Sequence, residues 1–145
     1  MTPAGLAQLE RDEGLRTVAY PDPVSHGEPF TIGYGHTGGI VPGQTCTVQQ
    51  AHDWLAHDVA NAEQHLMFAL PWFSDLDPVR ADVLTNIAFN IGVSGLLKWP
   101  TTLGHFRAHN WEAASHDLLT EGRWDTQVGD RAKRLAHATL TGAWA

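Results

Sequence analysis

Residues 13–36 read EGLRTVAYPDPVSHGEPFTIGYGH, and this stretch differs in character from the segments on either side of it. Its β-prone residues form two short runs, at 17–20 and 30–35, and turn-forming Pro, Asp, Ser and Gly residues separate the runs. Glycines interrupt the second run and permit close approach to a neighbouring backbone. The pattern predicts a small antiparallel sheet that is too small to be stable by itself.

Helical patterns flank this stretch. Thr2 and Pro3 are the residue types of a helix N-cap and a first helical position, and Gly14 is a stop signal, so a helix is predicted over about 3–12. Thr47 and Gln50 match a capping box ahead of an apolar stripe at helical spacing. This second pattern predicts a helix over about 47–68, which would span roughly 30 Å.

The remainder of the chain is predicted to be helical, with Asn110 as one N-cap. Helices are expected at 79–91, 101–108, 111–119 and 128–139. Together these elements predict one domain over residues 1–145 with a mostly helical α+β fold in two lobes. The sheet lobe covers about 13–46, the long helix at about 47–68 connects the lobes, and the helical lobe covers about 69–145 plus the N-terminal helix. A ligand is expected in a cleft between lobes.

Composition narrows the class of protein. A chain of 145 residues with 43% hydrophobic residues can bury one real core, and its six Trp and five Phe exclude a disordered chain. The formal net charge of −7 argues against binding to nucleic acid. No run of about 18 apolar residues is present, so membrane insertion is not expected. The single cysteine, Cys46, excludes an intrachain disulfide bond.

The densest group of polar residues lies between Glu13 and His36. It contains two carboxylates, Glu13 and Asp22, together with the hydroxyl of Thr31. Two carboxylates facing each other suit hydrolysis of a glycosidic bond, in which one protonates the leaving oxygen and the other acts on water or on the developing positive charge. Spacing alone leaves an alternative open, because an Asp between two prolines is also typical of a turn.

Several segments resemble one known family. Residues 13–16, 20–22 and 31–37 resemble the active-site signature of phage-type lysozymes, glycoside hydrolase family 24. Residues 75–92 resemble the central buried helix of that family, and residues 123–124, 131–134 and 141–144 resemble the C-terminal segment of its T-even phage members. The resemblance implies a lysozyme-like fold. One departure is the loop between Asp22 and Thr31, which has eight residues where five is the common family spacing.

The resemblance also implies roles for individual residues. Glu13 matches the general acid, Asp22 the second carboxylate and Thr31 the hydroxyl that helps to hold the attacking water. Four residues match or fall near sugar-contacting positions of the family: Thr37, Phe89, Thr102 and Asp117. Three more match supporting residues: Arg131, which is expected to pair with the catalytic Glu, and His36 and Asp58, which are expected to form an ion pair between the sheet lobe and the long helix.

The implied activity is that of an endolysin that cleaves the β-1,4 bond between N-acetylmuramic acid and N-acetylglucosamine in bacterial peptidoglycan, without a cofactor and as a monomer. Two alternatives stay open: a lytic transglycosylase acting on the same bond, and a catalytically silent wall-binding module. A metal site is not predicted, although His105 and His109 are four residues apart. Since residues 1–11 lack the pattern of a signal peptide, the protein is expected to be made in the host cytoplasm and released through a separate pore protein.

Overall fold

The computed structural model describes residues 1–120 and 129–145. Within these residues the chain forms seven α-helices and a two-stranded antiparallel sheet, which confirms the predicted mostly helical α+β fold. The elements in chain order are α1 Pro3–Glu13, β1 Arg16–Tyr20, β2 Thr31–Gly33, α2 Val48–Ala69, a 3-10 helix Pro71–Asp75, α3 Pro78–Ile91, α4 Val93–Leu96, α5 Pro100–Arg107, α6 Trp111–Leu118 and α7 Asp130–Thr141.

The helix starts follow the local signals in the sequence. The hydroxyl of Thr2 accepts a hydrogen bond from the N–H of Gly5 at 3.0 Å and so caps α1. At the start of α2 the capping box is complete, because Thr47 Oγ1 accepts from Gln50 N at 3.1 Å and Gln50 Oε1 accepts from Thr47 N at 2.9 Å. The 3-10 helix and α4 were not predicted. Elements of four or five residues are too short to show a helical period.

The described chain divides into two compact units. One unit comprises Ala7–Asn61, and the other comprises Met1–Leu6 together with Ala62–Ala145. Each unit therefore contains part of α1 and part of α2, whereas the sequence interpretation set the helix at 47–68 apart as a connector. None of the helices in the described residues is both long and apolar enough to cross a bilayer.

The unit Ala7–Asn61 holds the sheet. Tyr20 pairs with Thr31, and Arg16 pairs with Gly33. The two pairs are four positions apart on β1 but only two positions apart on β2, so β1 contains a bulge. The other edge of β1 bonds to a later segment, where Ala19 N donates to Gln44 O at 2.8 Å. The buried hydrophobic residues of this unit are Leu9, Ile32, Tyr34, Ala51, Leu55 and Val59.

The second unit has α3 at its centre. Seven consecutive residues of this helix, from Asp82 to Ala88, are buried, and the polar ones among them have partners. The carboxylate of Asp82 accepts hydrogen bonds from the N–H and hydroxyl of Thr2 and from Trp144 Nε1. The apolar cluster around α3 includes Leu66, Leu84, Ile87, Leu96, Phe106, Leu118 and Leu135. A helix that is buried on all sides in this way organises the packing of the others.

Candidate active site

Glu13 is the last residue of α1. The helix ends there because Gly14 adopts a left-handed conformation, with φ of 69°, that glycine reaches without steric strain. The N–H of Gly14 donates to Glu10 O at 2.9 Å and completes the last turn. The half-buried Glu13 side chain is therefore attached to a well-defined helix end that directly precedes β1.

Asp22 lies in the loop that follows β1, and its carboxylate organises that loop. Asp22 Oδ2 accepts hydrogen bonds from the N–H groups of Ser25 at 2.7 Å and Val24 at 3.0 Å. The backbone closes the same turn, since His26 N donates to Asp22 O and Asp22 N donates to Gly27 O. Asp22 is thus the turn-forming residue that the two prolines suggest.

The same contacts determine the charge of Asp22. The N–H of Ser25 is the main cause that lowers the pKa of Asp22 below its usual value, and the hydroxyl of Ser25, the N–H of Val24 and the charge of His26 act in the same direction. Asp22 is therefore a carboxylate at any pH near neutrality. A group of this kind is suited to accept a proton or to stabilise positive charge, and it is unsuited to donate a proton.

Thr31 begins β2 and lies opposite Tyr20 in the sheet. Because Asp22 follows Tyr20 by two residues, the pairing brings the Asp22 loop and Thr31 to the same end of the sheet. The hydroxyl of Thr31 makes no hydrogen bond to residues within the described ranges, and the side chain is half-buried. The arrangement leaves the Thr31 hydroxyl at the same end of the sheet as the Asp22 loop.

The strand β2 is packed directly against α2. Gly33 is buried, and a Cβ atom built on it would lie 3.2 Å from Ala51 Cβ, so the close approach requires glycine. Beyond the strand, the ring of His36 stacks on the ring of Trp54 with centroids 4.8 Å apart, and His36 Nδ1 lies 2.7 Å from Asp58 Oδ2. The residues expected to form an ion pair are therefore in contact. These contacts hold the turn after Thr31 against the helix.

Arg131 lies on α7 and is buried. Its Nε donates to Asn86 Oδ1 at 2.9 Å and its Nη2 donates to Asn86 O at 3.3 Å. The sequence reasoning missed Asn86, because no local pattern connects residues 45 positions apart. The expected pairing of Arg131 with Glu13 stays a prediction.

The four residues expected to contact sugar lie in different environments. Thr37 is exposed and Phe89 is half-buried, whereas Thr102 has no exposed surface. The structure brings Thr102 and Asp117 together, with Thr102 Oγ1 3.4 Å from Asp117 Oδ2. Asp117 is also 2.8 Å from His105 Nδ1. Within residues 1–120 and 129–145, no three His, Cys, Asp or Glu side chains converge as a metal site would require.

The tryptophan side chains and the long loop after Asp22 were also located. Trp72 and Trp99 are partly buried against the core of the second unit, and Trp124 lies outside the described residues, as does Arg123. Residues 28–30 of the long loop and residues 38–41 line a surface pocket of about 510 Å³. The extra loop residues thus form a wall of a pocket in the same unit as Glu13, Asp22 and Thr31.

Comparison with known proteins gives consistent results. The family model for phage lysozyme matches residues 10–138. The endolysin of Salmonella phage P22 is 33% identical over 122 residues, which cover 79% of this chain and 78% of that protein. The endolysin of Bacillus phage B103 is 33% identical over 127 residues, and the match covers 87% of this chain but only 46% of that longer protein.

A T-even phage protein also matches. The pre-baseplate central spike protein Gp5 of Enterobacteria phage T4 is 29% identical over 159 aligned positions, which cover 92% of this chain and 27% of Gp5. The chain therefore spans most of the P22 endolysin, slightly less than half of the B103 endolysin and about a quarter of Gp5. Because the family model covers nearly the whole chain, including the segment with Glu13, Asp22 and Thr31, this chain belongs to the phage lysozyme family.

Proposed function

We propose that this chain is a muramidase that hydrolyses the β-1,4 bond between N-acetylmuramic acid and N-acetylglucosamine in bacterial peptidoglycan, as the enzyme of a phage endolysin. Family membership and the printed names of the relatives support this activity. One structural observation carries the assignment of residues. Glu13, Asp22 and Thr31 all belong to one compact unit, and Glu13 and Asp22 flank the single strand β1.

The charge state of Asp22 supports a division of roles between the two acids. The loop N–H groups keep the pKa of Asp22 low, so Asp22 is proposed to act as the carboxylate that stabilises the oxocarbenium-like centre or activates water. Glu13 is then the residue that protonates the leaving glycosidic oxygen. Two acids in different environments are a common basis for such separate roles.

The position of the two acids favours inversion at the anomeric carbon. Glu13 precedes β1 and Asp22 follows it, and a five-residue strand spans on the order of 15 Å between backbones. Even after both side chains reach inward, room for a water molecule is expected between the carboxyl groups, as in inverting enzymes, where they are about 6.5–9.5 Å apart. Thr31, at the Asp22 end of the sheet, is proposed to help hold that water.

The remaining residues are proposed to bind glycan or to support the site. Thr37, Phe89 and Asp117 are proposed to contact sugar residues, and the buried Thr102 is proposed to take part through its bond to Asp117. Arg131 is proposed to hold Glu13. His36 and Asp58, which are in contact, are proposed to fix the turn after Thr31.

The test is the clearing of a peptidoglycan suspension by the wild type and by Glu13→Gln. The substitution removes the proton donor and is expected to lower the rate by about 10²- to 10⁴-fold. Glu10→Gln is the matched control, because Glu10 lies one turn earlier on α1, and this variant is expected to keep the wild-type rate. Full activity of Glu13→Gln would refute the assignment of the acid.

The products distinguish the proposed reaction from its alternatives. A hydrolase releases fragments with a reducing N-acetylmuramic acid end, whereas a lytic transglycosylase releases 1,6-anhydro ends, and mass spectrometry separates the two. Binding to glycan without release of any fragment would instead indicate a wall-binding module.

A further inference from the structure

The carboxylate of Asp117 is held through only one of its two oxygens. Oδ2 lies 2.8 Å from His105 Nδ1 and 3.4 Å from the Thr102 hydroxyl, and both of these side chains come from α5. The His105 side chain is 31% exposed and that of Asp117 is 20% exposed, so the pair lies at the surface with one side accessible. Oδ1 accepts no hydrogen bond from any residue in the described part of the chain.

Asp117 also lines a pocket. The pocket has a volume of about 420 Å³, and its other lining residues all belong to α6 or its N-cap: Asn110, Glu112, Ala113 and His116. Carboxylate oxygens accept hydrogen bonds and do not donate them, so a wall containing Glu112 and Asp117 favours a ligand rich in hydroxyl and amide N–H groups. A glycan that carries N-acetyl groups has this chemistry.

We propose that His105 is a positioning residue for glycan binding. Its hydrogen bond to Asp117 Oδ2 fixes the orientation of the carboxylate. Asp117 Oδ1 then accepts a hydrogen bond from a hydroxyl or amide N–H of the peptidoglycan glycan bound in the pocket lined by Asn110, Glu112, Ala113, His116 and Asp117. This inference rests on the proposed function, which supplies the glycan. An acceptor that is already fixed loses less side-chain entropy when the ligand binds, and this is the advantage of the second contact. In the absence of the His105 bond, the Asp117 side chain gains alternative rotamers.

The proposal makes a specific kinetic prediction. Asp117 is not one of the residues proposed to transfer protons or to hold water, so its hydrogen bond is made equally to the ground state and to the transition state. Loss of such uniform binding raises KM and leaves kcat unchanged. A purely structural link between α5 and α6 would instead change stability and leave both kinetic constants unchanged at temperatures where the protein is folded.

The experiment measures initial rates on soluble, uncrosslinked glycan strands prepared from peptidoglycan, together with thermal unfolding. His105→Leu removes the donor, and because the side chain is partly exposed on α5, the variant is expected to fold. His105→Gln keeps a side-chain N–H that can reach Asp117. Thr102→Val removes the second contact with little change of shape, and His65→Gln is the control, since His65 is exposed on α2 and makes no hydrogen bond to the described residues.

We expect KM to rise about five- to tenfold in His105→Leu, with kcat within about twofold of the wild type. His105→Gln is expected to restore most of the wild-type KM, Thr102→Val to raise KM to a smaller extent, and His65→Gln to leave both constants unchanged. An unchanged KM in a folded, active His105→Leu, or a fall in kcat alone, overturns the inference while leaving the proposed function intact. A wild-type protein that releases no fragments from these strands refutes the proposed function and this inference with it.

Discussion

Replacement of Gly33 by alanine tests whether the packing of β2 against α2 positions Thr31. Gly33 has φ of 67°, a left-handed conformation that costs an L-residue with a Cβ about 1–2 kcal/mol. The added Cβ would also lie 3.2 Å from Ala51 Cβ and 3.4 Å from Ala51 Cα. Ala51 is fully buried on α2, so neither atom has room to move away.

Gly33→Ala combines the cost of the left-handed backbone with the cost of the contact with Ala51, and a second glycine variant measures the first cost by itself. Overpacking at such a contact costs about 1–2 kcal/mol, so the total loss in the free energy of unfolding is about 3 kcal/mol. Gly39 has nearly the same φ, 71°, and a Cβ on Gly39 would meet nothing within 4 Å. Gly39→Ala should therefore lose only the conformational part, about 1–2 kcal/mol.

Urea denaturation followed by tryptophan fluorescence measures the two losses. For a chain of this length a loss of 3 kcal/mol lowers the Tm by on the order of 10 °C. The functional consequence is a separate measurement. Because Gly33 follows Thr31 by two residues on β2, relief of the overlap must shift Thr31, and a displacement of this kind is expected to lower kcat about 10- to 100-fold at 20 °C, where the variant is still folded.

Two results would refute the reasoning. Equal destabilisation by Gly33→Ala and Gly39→Ala would show that the contact with Ala51 contributes nothing. Wild-type kcat in a destabilised Gly33→Ala would show that the position of β2 against the helix does not control the site.

Three further predictions follow from individual contacts. Asp22→Asn keeps an oxygen that accepts the loop N–H bonds but loses the charge that they favour, so it is expected to lose about 100-fold or more in kcat with only a small fall in Tm. Asp22→Ala removes the acceptor and should lower the Tm further; equal Tm values for the two variants would exclude the turn role. Arg80 donates hydrogen bonds to two carbonyls in the last turn of α7, those of Thr139 and Leu140. Arg80→Leu is therefore expected to lower the free energy of unfolding, measured by urea denaturation, by about 2–3 kcal/mol, and Arg80→Lys by about half as much. Burial raises the pKa of Tyr34, so the contribution of Tyr34 to stability should be constant below pH 10 and be lost as the pH rises through the higher folded-state pKa. Tyr34→Phe should therefore reduce the alkaline decline in Tm.

Local chemistry accounts for much of what the sequence predicted about the fold. The N-cap at Thr2, the stop at Gly14 and the capping box at Thr47 are contacts between residues within four positions of each other, and the structure contains them. The sheet was predicted from two β-prone runs separated by turn residues, and it also lies where expected. Such local signals can be recognised in a single sequence because each depends only on residues that are close together in the chain.

The candidate site was predicted from a family resemblance and not from local chemistry. Glu13, Asp22 and Thr31 were selected because their segments resemble the family signature, and their chemistry alone left a turn role open for Asp22. The structure shows that Asp22 does form the turn, and that the same hydrogen bonds keep it ionised. The two interpretations are therefore compatible, which the residue pattern did not reveal.

The sequence by itself determined the fold class, the starts of the long helices and the family, because these depend on periodicity, on capping residues and on a signature of neighbouring residues. Only the tertiary structure decided which distant side chains meet: Asn86 with Arg131 and His105 with Asp117. The same is true of the approach of Gly33 to Ala51. These contacts join residues 12 to 45 positions apart, and helix packing and strand register bring them together only when the chain is folded.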